Sequence, residues 1–257
     1  MLFDTHAHYY SEAFDPDRDE VLSALPAAGV GLVLCPGCDL PTSRQSIDLA
    51  ERYPHVYAAA GVHPEDALGL PADWLDQVAA MTRHPKVKAI GEIGLDYYWD
   101  KDNHPQQQAA FIRQIELANR VNKPILVHSR DAIGDTLALL REHPAARRGI
   151  IHCFSSSREM AREFVKLGYT IGLGGPVTFK NAKTPKEVAA DVDLAHLQIE
   201  TDCPYLTPVP YRGKRNEPMY LPLTAKTILE LRGMEEETLK QSLWDNYQAL
   251  FHPQDEL

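Results

Sequence analysis

What this sequence lacks narrows the field before any motif is read. Only four cysteines occur in 257 residues, Cys35, Cys38, Cys153 and Cys203. That is too few for a disulfide scaffold and fits a reducing, cytoplasmic setting. No apolar run approaches the roughly 20 residues that a membrane-spanning helix needs. The first residues carry no signal-peptide pattern, because the charged Asp4 follows directly on Leu2 and Phe3. Positive charge is the minority sign: 26 Lys and Arg face 36 Asp and Glu, for a net charge of −10. Such a chain has no long-range attraction to polyanions, which excludes a non-specific DNA-coating protein. It leaves room for an enzyme whose site is made locally positive by bound cations. The Gly-x-Ser-x-Gly elbow, the phosphate-binding P-loop and the His-Glu-x-x-His zinc helix are all missing. No linker, low-complexity run or charged tail interrupts the chain, so a single domain over residues 1–257 is expected.

What is present is a regular alternation. Hydrophobic residues make up 44% of the chain, enough at this length to bury a substantial core. Eight short apolar runs read as strands: Leu2–Thr5, Gly31–Cys35, Val56–Val62, Val87–Ile93, Ile125–His128, Gly149–Cys153, Tyr169–Leu173 and Leu197–Asp202. Most are continuously apolar, as parallel strands buried on both faces are. Amphipathic runs lie between them. Pro105–Val121 places Phe111, Ile112, Ile115 and Ala118 on one face. Ser157 reads as the cap of a helix whose inner stripe is Met160, Ala161, Phe164 and Val165, and which ends at Gly168. Further helices fit Asp17–Ala28, Thr42–Arg52, Ala72–Arg83, Ala132–Glu142 and Thr184–Val192, and Pro222–Phe251 reads as two helices broken near Gly233. Eight strand-helix units in about 250 residues predict an α/β fold, the (β/α)8 TIM barrel.

Residues able to do chemistry fall at the carboxyl ends of these strands. His6 and His8 follow the first, and in extended chain residues two apart share a face. His63 ends the third, Glu92 and Asp96 the fourth, His128 the fifth, His152 the sixth and Asp202 the eighth. In a barrel all those ends open on one face, the face that holds the active site. Five of the eleven histidines occupy such positions. The other six (His55, His84, His104, His143, His196 and His252) lie in loops or beside prolines and receive no role. Four histidines with two or more carboxylates exceed what one zinc ion requires. The surplus points to two ions, with Glu92 best placed to bridge them. Two ions a few ångströms apart lower the pKa of a water between them and clamp a phosphoryl oxygen.

The segments Asp4-Thr5-His6-Ala7-His8, Gly61-Val62-His63-Pro64, Gly91-Glu92-Ile93-Gly94-Leu95-Asp96, His128-Ser129-Arg130, His152-Cys153-Phe154-Ser155 and Glu200-Thr201-Asp202-Cys203-Pro204-Tyr205 together resemble the TatD family of metal-dependent deoxyribonucleases, within the amidohydrolase superfamily of TIM barrels. Arg212–Pro218 is similar to that family's basic loop, and Asn246–Phe251 to its closing segment. The resemblance implies that His6, His8 and Asp202 hold one ion and His128 and His152 the other, with Glu92 between them. It implies that His63 contacts substrate phosphate and that Asp202 also serves as general base. The chain departs from the family pattern at Ala7, Ser156 and Cys203, none of them a ligand position.

Arg130, Arg212, Lys214 and Arg215 read as a phosphate-gripping rim, because guanidinium groups match phosphate geometry; Lys180 is a weaker candidate. Gly172-Leu173-Gly174-Gly175-Pro176 reads as a tight turn rather than a phosphate cradle, and Cys35-Pro36-Gly37-Cys38 as two ordinary thiols. The expected function is a hydrolase using two divalent ions (zinc, manganese, magnesium, cobalt or nickel) that shortens DNA from a free 3′ end. The expected partner is DNA that is single-stranded or has a free 3′ end, bound transiently by a monomer, with no membrane. The alternative keeps the ions and changes the substrate to a carboxyl ester or amide, such as an aminoacyl-tRNA bond or a lactone.

Overall fold

Each apolar run becomes a strand, and each strand is followed by a helix. In the computed structural model, which describes residues 1–99 and 102–251, the chain runs β1 (Leu2–Asp4), α1 (Arg18–Ala24), β2 (Val30–Pro36), α2 (Leu40–Arg52), β3 (Val56–Ala60), α3 (Trp74–Met81), β4 (Val87–Asp96) and α4 (His104–Arg120). It continues with β5 (Ile125–Arg130), α5 (Ile133–Glu142), β6 (Gly149–Ile151), α6 (Arg158–Lys166), β7 (Thr170–Leu173), α7 (Lys183–Asp191), β8 (Leu197–Ile199), α8 (Leu221–Arg232) and α9 (Glu236–Phe251). The strands follow one another in the sheet in chain order, the order of the expected (β/α)8 barrel. His252 lies outside the described residues. Among the described residues no helix is long and apolar enough to cross a membrane.

Two units are distinguished, residues 1–35 with 153–257 and residues 36–152. In the first, β1 pairs in parallel with β2, and β7 with β8. Its core is aromatic. Phe3 meets Trp244 and Tyr247 at ring-centroid distances of 4.8 and 5.0 Å, and Tyr247 meets Phe251 at 4.9 Å. Buried amides tie α9 to the last strand: Gln198 Nε2 donates to the Leu243 carbonyl (2.9 Å), and Asn246 Nδ2 donates to those of Leu194 (2.6 Å) and Leu197 (2.8 Å). The closing Asn-Tyr segment is therefore a fastener. In the second unit β3, β4, β5 and β6 pair in parallel in that order. Its core is aliphatic, with Val56, Ala58, Val87, Ile90, Ile93, Leu126, Val127 and Ile150 from the strands against Phe111, Ile115 and Leu117 of α4.

The ends of elements depart from expectation for local reasons. β4 runs to Asp96 rather than stopping at Ile93, because its ladder with β5 continues through Gly94↔His128, Leu95↔Ser129 and Asp96↔Arg130. Gly94 makes that approach possible: its φ is +145°, and a Cβ there would lie 2.0 Å from the His128 carbonyl oxygen. β6 and β8 are shorter than expected. Cys153 and Asp202 take φ of 45° and 56°, left-handed values that leave strand geometry behind. α2 starts two residues early, at Leu40, because the Asp39 carboxylate accepts the Thr42 N–H (2.7 Å) and Thr42 Oγ1 accepts the Asp39 N–H (2.9 Å). On α4, Ile112 is only half-buried. The inward face instead takes Gln107 and Gln114, both fully buried.

Asn246→Ala removes the donor from one buried and one part-buried carbonyl. It is expected to lower unfolding stability by about 1–3 kcal/mol, a fall in Tm of roughly 2–10 °C for a chain of this size. A thermal melt showing no shift would contradict the fastening role.

Candidate metal centre

In the second unit three imidazoles converge on one carboxylate oxygen. Glu92 Oε1 lies 2.8 Å from His128 Nδ1, 2.8 Å from His152 Nε2 and 3.7 Å from His63 Nε2. Glu92, His152 and His63 are 3%, 5% and 9% exposed, so these polar atoms meet each other rather than solvent. His128 Nδ1 and His152 Nε2 are 3.3 Å apart. Two nitrogens each about 2.0–2.1 Å from one tetrahedral ion would be separated by nearly that distance. His63, Glu92 and His128 alone already group ligand atoms within 4.8 Å of one another.

Hydrogen bonds fix which ring nitrogen each histidine presents. His128 Nε2 faces Asp96 Oδ2 at 3.1 Å, so its N–H is spent on that carboxylate and Nδ1 is left as the lone pair, the carboxylate–histidine arrangement common around protein metals. Burial pushes the His128 imidazole pKa down, but the hydrogen bonds to Asp96 and Glu92 outweigh it and the pKa is raised. Asp96 is lowered: burial opposes ionisation, and hydrogen bonds from His128 and the Trp99 and Tyr98 N–H groups more than offset it. His63 is arranged the opposite way. Its Nδ1 accepts the Glu65 N–H (3.2 Å), capping a short 3₁₀ turn, so Nε2 carries the hydrogen and points at Glu92. Burial takes its pKa down to about 3, which keeps the imidazole neutral.

The strand ends that carry these groups are clamped by buried amides. Gln114 Oε1 accepts the Val62 N–H (2.8 Å) and its Nε2 donates to the Val62 carbonyl (3.0 Å), one residue before His63. Gln107 does the same to Asp96, at 2.8 Å for each bond, and is itself held by Asn103 (2.7 Å). The Cys35–Cys38 segment runs directly beneath: Glu92 N–H donates to the Gly37 carbonyl and His63 N–H to that of Cys38, while the Cys38 thiol lies 3.8 Å from Glu92 Oε2. None of these three positioning devices was expected from the sequence. Gln107 and Gln114 stand seven residues apart on the inner face of α4, and that spacing was the only available signal.

In the first unit His8 Nε2 lies 3.3 Å and His6 Nε2 4.0 Å from Asp202 Oδ1. His8 Nδ1 is 2.9 Å from the Tyr10 hydroxyl, a contact that holds the ring with Nε2 toward Asp202. The backbone around the trio is zipped together. Asp202 N–H donates to the His6 carbonyl and His8 N–H to that of Cys203. The buried Asp4 carboxylate accepts Thr201 Oγ1–H (2.6 Å), Thr201 N–H (2.9 Å) and His6 N–H (3.3 Å). Burial pushes the Asp4 pKa up to about 7, with those donors pulling it down. Glu200, fully buried, accepts the Cys153 N–H.

The expected cations fare differently. Arg212 and Lys214 are exposed, their charges over the rings of Phe179 (4.1 Å) and Tyr211 (5.6 Å). Arg215 is bound on both sides: it reaches both Asp17 carboxylate oxygens (2.7 and 2.6 Å), Glu217 (2.8 Å) and the Ala13 carbonyl (2.7 Å). It anchors the loop, and Asn216 Nδ2, donating to the Thr201 carbonyl (2.7 Å), anchors it again. Arg130 is exposed, with its guanidinium 3.9 Å above the Tyr98 ring. Lys180 is exposed. In the glycine-rich turn, a Cβ at Gly175 would meet the Leu206 carbonyl oxygen at 2.0 Å, so that glycine serves close packing. All four cysteines are free thiols.

Residues 3–252 match the profile of the TatD related DNase family. The chain belongs to the TatD family of metal-dependent hydrolases. It is 46% identical over 252 residues, covering 98% of this chain and 99% of the relative, to a protein of Bacillus subtilis named as an uncharacterized metal-dependent hydrolase. It is 34% identical over 256 residues, 97% of each chain, to one of Klebsiella pneumoniae named as a 3′-5′ ssDNA/RNA exonuclease. The crystal structure of a TatD homolog from Escherichia coli superposes with a TM-score of 0.93 at 34% identity, covering 98% of both chains. That TatD likeness and the strand order agree on the barrel.

Two outcomes follow for the site. A divalent ion at about 100 times its Kd should stabilise the protein by about 2.7 kcal/mol, raising Tm by roughly 5–10 °C. His128→Ala and Glu92→Ala should shrink that shift sharply while still melting cooperatively without metal; an undiminished shift in both would remove the cluster from consideration. Because His128 must be neutral to ligate and its pKa is raised, the metal-induced shift should fade as pH drops toward and below the ordinary imidazole value. Asp96→Asn removes the carboxylate that raises His128, so the fading should move to lower pH.

Proposed function

We propose that this TatD-family hydrolase cleaves phosphodiester bonds of single-stranded DNA from a free 3′ end, using two divalent ions. His6, His8 and Asp202 would hold one, His128 and His152 the other, and Glu92 would be the shared carboxylate. The carrying observation is the nitrogen pair of His128 and His152 on Glu92 Oε1, with Asp96 spending the N–H of His128. The donor set is imidazole-rich with carboxylates, which suits zinc, manganese, cobalt or nickel, and magnesium where water completes the shell. When bound, the ions supply Lewis acidity toward a phosphoryl oxygen and a lowered pKa for water.

The chain's own groups do the rest. His63 Nε2–H donates to a non-bridging phosphate oxygen as charge builds there. Asp202, only partly covered, takes the proton of the attacking water. Arg130, Arg212 and Lys214 grip flanking phosphates, and Arg215 holds the loop that presents two of them. Substrate is bound transiently by a monomer, since a net charge of −10 opposes prolonged contact with a polyanion. The name of the Klebsiella relative, a 3′-5′ ssDNA/RNA exonuclease, supports the choice of a single strand and of the 3′ end.

The test strips the metal, restores magnesium, manganese or zinc in turn, and follows a 5′-labelled single-stranded DNA. A ladder that shortens from the 3′ end with one of the ions is the expected result. No cleavage despite confirmed metal uptake would transfer the site to carboxyl ester or amide substrates. His63→Ala should lower kcat by about 10²–10³, the usual cost of one preorganised donor, with KM little changed.

A further inference from the structure

Two large aromatic side chains stand in solvent immediately after the strand that carries Glu92. Tyr98 is 47% exposed and Trp99 64%. Their rings meet edge to face at 4.7 Å and 88°. The Arg130 guanidinium lies 3.9 Å over the Tyr98 ring and 5.3 Å from that of Trp99. Isolated exposed apolar residues need no explanation, but adjacent rings with a stacked guanidinium form a patch that does.

The patch is held firmly in place. Asp96 Oδ1 accepts the N–H of Tyr98 (2.9 Å) and of Trp99 (3.2 Å), while Asp96 Oδ2 faces His128 Nε2. One carboxylate thus orients both a proposed metal ligand and the backbone of the platform. The preceding Tyr97 is pinned as well: its ring stacks on His104 at 3.6 Å, its hydroxyl donates to Asp135 (2.9 Å), and its N–H donates to the Arg130 carbonyl (2.9 Å). The backbone that carries both rings is therefore tied to the same carboxylate that faces His128.

We propose that Tyr98, Trp99 and Arg130 form a stacking subsite for a nucleobase of the strand whose linkage is cut. The inference rests on the nuclease reading and deepens it. Every base offers a flat π-face, so stacking on a tryptophan edge-supported by tyrosine grips a strand without regard to sequence. The guanidinium uses its face on Tyr98, which leaves its in-plane N–H donors for a phosphate of the same nucleotide. An acidic chain gains most from such a contact, because stacking does not depend on net charge.

The experiment combines protein and substrate changes, using the metal-loaded enzyme and a 5′-labelled oligothymidylate with either an intact or an abasic nucleotide at its 3′ end. Trp99→Ala should raise KM on the intact strand on the order of 10-fold, and Trp99→Phe should recover most of it. The abasic end should raise KM similarly for the wild type and by less than about twofold more for Trp99→Ala, the non-additivity of groups in contact. Equal KM for wild type and Trp99→Ala, or losses that simply multiply, would overturn the subsite. If no strand is cut with any ion, the nuclease reading fails. The subsite is then judged by anisotropy of the labelled strand on metal-free protein: it stands if Trp99→Ala weakens binding about 10-fold, and falls if it does not.

Discussion

A carboxylate taken almost wholly out of water is the constraint on which the second unit depends. Glu92 is 3% exposed, and removing a charged group from solvent costs several kcal/mol unless charge and hydrogen bonds are returned to it. Two imidazole nitrogens stand 2.8 Å from one of its oxygens, where a cation held by their lone pairs would return that charge. His152 is 5% exposed and His128 is partly covered, and each meets the carboxylate in only one orientation of its ring. A rotation of His128 would strand both Glu92 and Asp96. The cluster is consequently either correctly assembled or strongly unfavourable, and such a site requires a scaffold that does not drift.

The scaffold's answer is to fasten strand ends by side chains rather than by the ladder alone. A parallel ladder ends where its hydrogen-bond partners end, and the residues just past it carry the chemistry. Gln114 and Gln107 take over there, each supplying a donor and an acceptor to one residue, Val62 and Asp96. The first unit uses Asp4, which collects three donors from Thr201 and His6, and Asn216, which reaches the Thr201 carbonyl. Asp202 itself sits in left-handed backbone, a conformation that aspartate tolerates better than most residues. These are all buried polar bonds, in which the loss of one partner leaves the other unpaired and costs more than the bond contributes.

How much of this is written in the sequence depends on the length scale of the signal. The eight strands are legible because burial on both faces leaves an unbroken apolar run, and their number and alternation specify the barrel. His6, His8, His63, Glu92, His128, His152 and Asp202 are legible because each closes such a run. The clamps are not. Gln114 acts on a residue 52 positions away and Gln107 on one 11 away, and glutamine on a helix reads by default as solvent-facing. The strand ends fail for a related reason: Gly94-Leu95-Asp96 looks like a loop until His128, Ser129 and Arg130 are beside it. Arg215 resembles its neighbours Arg212 and Lys214 in composition, and only Asp17, almost 200 residues earlier, separates an anchoring cation from an exposed one.

Asp96 brings these threads together. Its carboxylate has two faces: one receives His128, the other the N–H groups of the exposed Tyr98 and Trp99, while its own N–H and carbonyl belong to Gln107. It closes the strand, selects the tautomer of a proposed ligand and fixes the surface beside it. On the proposed reading this solves a problem of charge. A protein at −10 cannot draw a polyanion in from a distance, and cations at the rim act within about 8–10 Å at physiological salt. Binding must then come from contacts that work at van der Waals range. A carboxylate that sets reacting groups and a stacking surface from the same pair of oxygens makes the short-range contact and the chemistry parts of one rigid body. Binding at the platform then becomes positioning at the cluster.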